Sequence, residues 1–400
     1  MIDFRLGERS DAFREEVREF LRENFRPDMA ERAHDTGTSH NWEFHRALGA
    51  QGWIAASWPE EYGGQGRDPM EMTAMRDELR LAGVPTDGLG QTIMIARTIR
   101  AVGTDEQKQR FIPPALSGEI IFALGYTEPD SGSDVAAAKT RAVRAGDGRA
   151  GDGRDGDEWV IDGQKMFTTL AHEATYVFLL TRTDPELPKH KGLTMFLVPL
   201  DAPGVEIHPV HTMGGERTNA TFYTGVRVSD EYRVGEVNGG WDVMTVALTF
   251  ERGGFALTEA DRVWQLTVDW ATRTRRADGT RVIDDPLVRE RLATMRIDNQ
   301  VARLLAYRCS YVAASGGLPG VEGSMHKLWY AEAMTADASE LVDMLGAEGL
   351  LAHGEADAPV DGWIEHLYRH AAVTTIYGGT SEVQRGIIAE RGLGLPRSRR

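Results

Sequence analysis

The stretch IIFALGYTEPDSGSD spans residues 120–134 and joins a run of five apolar residues to a tight polar loop. A short apolar run bounded by turn residues is typical of a buried strand, and the loop after such a strand is a common place for a ligand site. Pro129 and Gly132 punctuate the loop, and Ser131 and Ser133 give it two hydroxyls. An ordinary strand-to-turn junction has the same pattern, so the residues alone predict the strand and leave the ligand site open.

The composition is that of an ordinary globular chain of 400 residues, long enough for two or three domains. A formal net charge of −16 argues against a nucleic-acid partner and against an anionic membrane surface. Cys309 is the single cysteine, which excludes an intrachain disulfide, and it falls in a helical pattern as a core residue. We expect a cytoplasmic protein, because no apolar run approaches the ~18 residues of a membrane span and the polar N-terminus is unlike a signal peptide.

The apolar periodicity changes twice along the chain and predicts three domains. Helical patterns come first, at 10–25, 42–51, 69–82, 89–102 and 105–117, with Ser10 or Asp11 as the cap of the first helix. β-rich segments follow at 159–161, 176–181, 194–199, 205–210 and 221–228, with 146–157 as a flexible hairpin tip. Helical patterns return near 240–275, 285–315, 322–346, 361–376 and 381–391. The prediction is an α+β protein with an N-terminal helical domain (1–118), a middle β domain (119–233) and a C-terminal helical bundle (234–400).

Two strings in the chain resemble signatures of the acyl-CoA dehydrogenase family. YTEP at 126–129, followed by SGSD at 131–134, resembles the signature that contacts the flavin, and YGGTSEVQR at 377–385 resembles the C-terminal signature. The resemblance covers nearly the whole chain. It implies the family's fold, FAD as cofactor, and dehydrogenation of an acyl-CoA thioester to the 2,3-enoyl-CoA. It also implies electron-transfer flavoprotein as the electron acceptor.

The resemblance also implies which residues of the middle domain hold the flavin. Tyr126 and Thr127 are expected to contact the flavin, and Ser133 to contact either the flavin or atoms beside the thioester of the substrate. In the string QKMFTT at 164–169, Phe167 stands where the family usually has tryptophan, and Thr168 follows it. There a flat apolar face packs on the ring while a hydroxyl satisfies a polar ring atom. A core aromatic is the alternative interpretation of Phe167.

In the C-terminal signature, the resemblance implies flavin contacts for Thr380 and for Glu382, where the family often has glutamine. Ser381 and Gln384 are three residues apart and are expected to form a capping box at the start of a helix. No metal site is predicted from the sequence.

The catalytic base is expected at an unusual position. Removing a proton α to a thioester requires a carboxylate in a water-poor pocket, and the family commonly places it where this chain has Gly378. Some relatives, of the isovaleryl and long-chain type, carry it on an earlier helix directly before an arginine, which matches Glu251 and Arg252. The neighbours of Glu251 three and four positions away are small or apolar: Ala247, Leu248, Gly254 and Phe255. Such surroundings raise the pKa of a carboxylate and disfavour a surface role, but they leave a buried ion pair with a nearby arginine open as the alternative. The resemblance favours the base and gives Arg252 a role in holding CoA, with an ion-pair partner as the alternative for Arg252.

Two stretches depart from the family pattern. Relatives bind the adenine end of FAD with an Arg-x-x-Phe-Gly motif just before Pro-Leu, whereas TRVIDDPL at 280–287 lacks the aromatic and the glycine. Relatives also have a Gln-x-Phe-Gly-Gly motif where this chain has DMLGA at 343–347. Both motifs reach the neighbouring subunit's flavin in family homo-oligomers, so a symmetric oligomer of this chain repeats the defect at every site.

The departures leave two kinds of assembly open. One is a homodimer or homotetramer in which Arg275 or Arg281 replaces the lost arginine. The other is an α₂β₂ hetero-oligomer with a related chain that carries the intact motifs. Two other functions also stay open: a flavin-dependent oxidase or oxygenase on the same fold, and a non-catalytic partner subunit of a hetero-oligomeric dehydrogenase.

Overall fold

A computed structural model describes residues 6–145, 158–251, 258–317 and 319–397, with the side chain of Glu251 outside the description. In chain order the protein has a helical part, an eight-stranded sheet and a second helical part. This confirms the predicted α+β architecture. The predicted hairpin tip at 146–157 lies outside the described residues.

The first helical part packs around an apolar core that includes Phe13, Val17, Phe44 and Leu48, each at most 1% exposed. Its helices are α1 (Glu8–Asn24), α2 (Pro27–Thr36), α3 (Trp42–Ala50), α4 (Pro69–Ala82), α5 (Asp87–Val102) and α6 (Asp105–Leu116). The capping prediction for α1 was wrong, because the helix begins at Glu8 and Gly7 precedes it without a side-chain cap. Helix α2 was not predicted.

The sheet has the strand order β6-β7-β3-β2-β4-β5-β8, and β1 pairs with β4 beside this path. Its strands are β1 (Phe122–Gly125), β2 (Arg141–Arg144), β3 (Glu158–Lys165), β4 (Tyr176–Arg182), β5 (Leu193–Pro199), β6 (Val205–His211), β7 (Arg217–Ser229) and β8 (Arg233–Val234). Strand β1 runs parallel to β4 and is buried against the first helical part, where the N–H of Phe122 donates to the Thr92 hydroxyl of α5 at 3.2 Å. The strand predicted from the apolar run therefore begins at a junction between two domains.

The second helical part contains α7 (Gly240–Glu251), α8 (Glu259–Arg273), α9 (Pro286–Ala314), α10 (Glu322–Leu345), α11 (Trp363–Thr374) and α12 (Ser381–Ile387), which continues as a π-helical turn at Ile388–Gly392. One helix was predicted near 240–275, but two are described, and α8 begins after Thr258. Hydroxyl and carboxylate contacts join α4 to α9, since Tyr307 donates to Asp77 at 3.0 Å and Thr73 lies 2.7 Å from Ser310. Among the helices in the described ranges, none is long and apolar enough to cross a membrane.

Candidate functional site

The loop after β1 is a tight polar turn. The N–H of Glu128 donates to the carbonyl of Ser131 at 3.0 Å, and the N–H of Ser131 donates back to the carbonyl of Glu128 at 3.1 Å. Ser131 is buried, whereas Ser133 is exposed and can meet a ligand. The loop therefore has a fixed inner turn and an accessible outer hydroxyl.

The structure brings the two predicted flavin segments of the middle domain together. The N–H of Met166 donates to the carbonyl of Thr127 at 2.8 Å, so the residues after β1 lie beside the residues after β3. Tyr126 and Thr127 are half-buried on one side of this contact, and Phe167 follows Met166 on the other.

Phe167 is an exposed aromatic residue held in a strained backbone conformation. Its φ is 57° and it is 57% exposed. A bulky residue rarely adopts positive φ, and such strain persists only where the surroundings enforce it. Asn219 enforces it here, since its carbonyl accepts from the N–H of Thr168 at 2.8 Å and its side-chain amide donates to the carbonyl of Thr168 at 3.0 Å. Phe167 is thus not a core residue. Its ring is an exposed apolar surface, and hydrogen bonds hold the backbone next to it.

The two threonines that follow Phe167 differ in their surroundings, and those of the predicted Thr168 do not favour a contact with a ligand. Thr168 is 0% exposed, and its hydroxyl lies 3.3 Å from that of Thr221 inside the sheet. Thr169 is half-buried, with its hydroxyl 3.2 Å from that of Thr218. Because alternation of side chains breaks at the positive φ of Phe167, Thr169 rather than Thr168 is the residue that can turn a hydroxyl toward a ligand.

A buried ion pair lies directly behind this surface. The ammonium of Lys165 is 2.8 Å from a carboxylate oxygen of Glu128, and the two side chains are 0% and 6% exposed. Burial lowers the pKa of Lys165 to about 8 although Glu128 opposes the shift, so the lysine is still charged at neutral pH. The pKa of Glu128 is lowered because Lys165 and two backbone N–H groups outweigh the effect of burial. The sequence prediction missed both residues, although each is a charged residue inside a quoted motif.

The C-terminal signature forms a turn that leads into α12. Gly378 and Gly379 have φ of 62° and 86°, a region that favours glycine. The predicted capping box was wrong: Thr380 is the cap, with its hydroxyl accepting from Val383 at 3.3 Å, while the amide of Gln384 donates to the carbonyl of Gly378 at 2.8 Å. Ser381 is therefore inside the helix.

A pocket of about 400 Å³ opens beside this turn. It is lined by Glu332, Thr375, Ile376, Thr380, Ser381 and Glu382. Hydrogen bonds from its own backbone N–H and from the Thr380 hydroxyl lower the pKa of Glu382, which keeps that carboxylate charged. The pocket thus contains both flavin contacts predicted on the C-terminal side.

The predicted base falls at the limit of the described structure. Glu251 is the last residue of α7, and Ala247, one turn earlier, is 0% exposed. The side chain of Glu251 and the whole of Arg252 lie outside the described residues, so both roles stay predictions.

In the stretch 275–285, which departs from the family pattern, the arginines make local ion pairs and hydrogen bonds. Arg281 pairs with Asp284 at 2.8 Å, and Arg276 pairs with Asp285 at 2.8 Å. Arg275 donates to the carbonyl of Gly279 at 2.7 Å. The two arginines proposed as replacements for the lost family arginine are therefore engaged within their own loop.

The site residues fit a flat, partly apolar cofactor with polar ring edges. Phe167 offers an exposed ring face beside the backbone carbonyl of Thr127. The exposed Ser133 offers a hydroxyl in the loop after β1, and Thr380 lines the pocket beside α12. A tricyclic ring with carbonyl and imine edges meets these requirements.

Comparisons with known proteins agree with this description. Models of the acyl-CoA dehydrogenase N-terminal, middle and C-terminal domains match residues 7–119, 123–226 and 238–393. Acyl-CoA dehydrogenase FadE26 of Mycobacterium tuberculosis is 39% identical over 363 residues, covering 88% of this chain and 87% of the relative. Acyl-CoA dehydrogenase IpdE1 of Mycolicibacterium smegmatis is 35% identical over 398 residues, covering 96% of this chain and 97% of the relative.

Two solved structures are similar along their whole length. The Tcur3481-Tcur3483 steroid ACAD has a TM-score of 0.87 and 38% identity, covering 99% of this chain and 100% of that chain. The ChsE4-ChsE5 complex from Mycobacterium tuberculosis has a TM-score of 0.88 and 36% identity, with the same coverage.

Proposed function

The chain belongs to the acyl-CoA dehydrogenase family, whose members are FAD-containing oxidoreductases, and we propose that it converts an acyl-CoA thioester to the 2,3-enoyl-CoA with Glu251 as the base. The observation that best supports this proposal is the exposed, strained Phe167 beside the Thr127 carbonyl. A protein rarely keeps such strain without a functional reason.

The chain's own residues bind and orient the cofactor. Phe167 packs on one face of the flavin ring, the Tyr126–Thr127 segment and Thr169 satisfy its polar edge, and Thr380 holds it from the C-terminal side. When bound, FAD supplies the acceptor for the hydride that leaves the β-carbon of the acyl group. The rigid backbone around Asn219 keeps the Phe167 ring ready for binding without reorganisation.

Glu251 accepts the proton from the α-carbon. The face of α7 that precedes it carries Ala247, fully buried, and Leu248, packed against the apolar core. A base that removes an α-proton works best where water is scarce. Arg252 helps to hold the CoA moiety.

The acyl group is steroid-derived in this proposal. The supporting observation is the likeness to the structure named a steroid ACAD, at 38% identity over 99% of this chain. The same likeness supports a hetero-oligomer, since two of the similar structures carry paired names, Tcur3481-Tcur3483 and ChsE4-ChsE5.

The local ion pairs in the stretch 275–285 also favour a hetero-oligomer with a related chain. Arg281 pairs with Asp284, and Arg275 donates to the carbonyl of Gly279, so a neighbour's pyrophosphate would have to compete with these local partners. The carboxylates of Asp284 and Asp285 would repel one. We therefore expect a related chain to complete the FAD site, and electron-transfer flavoprotein to accept the electrons.

Anaerobic mixing with acyl-CoA thioesters tests the activity. We expect a steroid-derived acyl-CoA to bleach the flavin absorption and to yield a product two hydrogens lighter, detected by mass spectrometry. Saturated straight-chain acyl-CoAs are the comparison for substrate class. Bound FAD that no acyl-CoA bleaches would contradict the dehydrogenase and favour the non-catalytic subunit, whereas turnover that consumes O₂ stoichiometrically would favour the oxidase.

A further inference from the structure

Lys165 is a lysine with no exposed side-chain surface, at the last position of β3. Complete burial of an ammonium is costly unless it is paired. Its ammonium meets Glu128 at 2.8 Å and lies 3.3 Å from the carbonyl of Tyr126. The single cation therefore contacts two residues of the loop that follows β1.

The carboxylate of Glu128 is held from a second direction. One oxygen accepts from the N–H of Lys139 at 2.7 Å, and the other accepts from the N–H of Thr140 at 2.8 Å as well as from Lys165. Three donors fix the orientation of this carboxylate. The Glu128 carboxylate is thus fixed inside the domain, and its ion pair fixes the position of the Lys165 ammonium.

The anchored residues are the immediate neighbours of the predicted flavin contacts. Lys165 stands two positions before Phe167, and Glu128 directly follows Thr127. The Met166 N–H to Thr127 carbonyl bond of 2.8 Å lies between them. The ion pair and this backbone bond together fix the separation of the Phe167 ring from the Tyr126–Thr127 segment.

We propose that Lys165 is a positioning residue for the flavin, acting through Glu128 to hold the Phe167 ring and the Tyr126–Thr127 segment at one fixed separation. The inference rests on the proposed flavin site. A buried ion pair adds little net stability over an apolar pair of the same size. What the charged pair provides is a defined geometry, because charge-assisted hydrogen bonds are directional whereas apolar contacts are not.

Three variants separate positioning from stability, each prepared in the assembly in which the wild-type chain binds FAD. K165M leaves the Glu128 carboxylate buried without its cation, so it is expected to lower the melting temperature and weaken FAD binding. The double variant K165M/E128Q removes both charges and is expected to recover part of the lost melting temperature of the apoprotein; recovery is incomplete because the glutamine oxygen can accept from only one of the Lys139 and Thr140 N–H groups. K189M is the control, because Lys189 forms an ion pair with Asp134 in which both side chains are more than half exposed.

The decisive result is the behaviour of the double variant. We expect its melting temperature to return toward wild type while its FAD dissociation constant stays ~10-fold or more above wild type, with shifted visible flavin absorption and midpoint potential. E128D, which keeps the charge, should shift the flavin spectrum less than K165M does.

The inference is overturned if K165M or the double variant binds FAD with wild-type affinity and spectrum. It is also overturned if the double variant recovers stability and flavin binding together, because the pair is then only structural. A wild-type assembly that binds no FAD would instead contradict the proposed function itself.

Discussion

The carbonyl of Thr127 accepts a hydrogen bond of 2.8 Å from the N–H of Met166, which joins two motifs that are distant in sequence. This contact sets Phe167 beside the loop that follows β1, with the ring 57% exposed. The site is therefore built on strand ends, which position a ligand more precisely than free loops do.

Phe167→Gly should stabilise the protein and weaken flavin binding. Glycine adopts a φ of 57° without strain, and relief of such strain is worth about 1 kcal/mol in the free energy of unfolding. The lost ring contact should raise the FAD dissociation constant, while Phe167→Trp should preserve it. Denaturant unfolding of the apoprotein and FAD titration measure the two effects.

Leu170→Gly is the matched control for that prediction. Leu170 also has positive φ, 61°, but it is only 1% exposed. Loss of a buried leucine costs about 3 kcal/mol and outweighs the relief of strain. We therefore expect Leu170→Gly to destabilise the protein. Equal stabilisation by Phe167→Gly and Leu170→Gly would show that the exposure of the Phe167 ring does not decide the effect of the glycine.

The sequence predicts an element reliably where the signals for that element are local. Helix α4 was predicted at 69–82 and is found there, because its signals are local: Asp68 and Glu71 form a capping box, Pro69 opens the helix and Gly83 follows it at φ 75°. Helix α2 was missed since Met29 is its only buried residue among the described positions, so it has no apolar period.

In the candidate site, too, the sequence predicted what local motifs determine and missed what distant contacts determine. Motif strings identified the segments that carry Tyr126, Phe167 and Thr380, but they could not assign the hydroxyl to Thr168 or to Thr169. That choice depends on Asn219, which holds the backbone from β7 and has no signal in the motif. Contacts made across a sheet by single polar side chains cannot be read from local pattern.

Glu251→Gln should abolish most turnover and leave FAD binding unchanged. A neutral amide cannot accept the α-proton, and loss of a general base typically costs ~10²–10⁴-fold in rate. Stopped-flow reduction of the flavin by substrate measures this step directly. Near wild-type reduction would show that another carboxylate is the base.

A second-site variant tests whether the base can be moved. Gly378→Glu in the Glu251→Gln background restores an acid at the position that the family commonly uses. Gly378 has a φ of 62°, so a glutamate there carries a strain of about 1 kcal/mol, and partial recovery of flavin reduction is expected. Gly378→Gln in the same background is the control and should recover nothing.

The ion pair between His370 of α11 and Glu216 of the β6–β7 loop should make stability depend on pH. Burial opposes charge on both groups, but their hydrogen bond prevails, so the pKa of His370 is raised and that of Glu216 is lowered to about 2. Asp87 and Glu259 also raise the pKa of His370. The pair is therefore fully charged between about pH 4.5 and 6.5, the ordinary values of the two groups.

The sign of the dependence follows from these shifts. Stability from His370 is complete below about pH 6.5 and is lost as the pH rises through its raised pKa. His370→Gln should therefore cost ~1 kcal/mol near pH 6 and less at pH 9. Chemical denaturation at both pH values measures the difference, and a cost that grows toward pH 9 would contradict the assignment.

Rebuilding the adenine-end motif should raise the flavin content of this chain when it is expressed alone. The wild-type chain alone should be flavin-poor, and co-expression with a related chain that has the intact motif should restore one FAD per unlike pair. The variant T280R/I283F/D284G restores the family pattern before Pro286 and removes the carboxylate that holds Arg281. It should increase the FAD bound per chain, while D284G alone, which only frees Arg281, should do so less. Flavin absorbance against protein mass and light scattering measure the result.

A wild-type homo-oligomer with one FAD per chain and full activity would contradict the unlike partner, because the ion pairs at Asp284 and Asp285 would then be compatible with a neighbour's pyrophosphate.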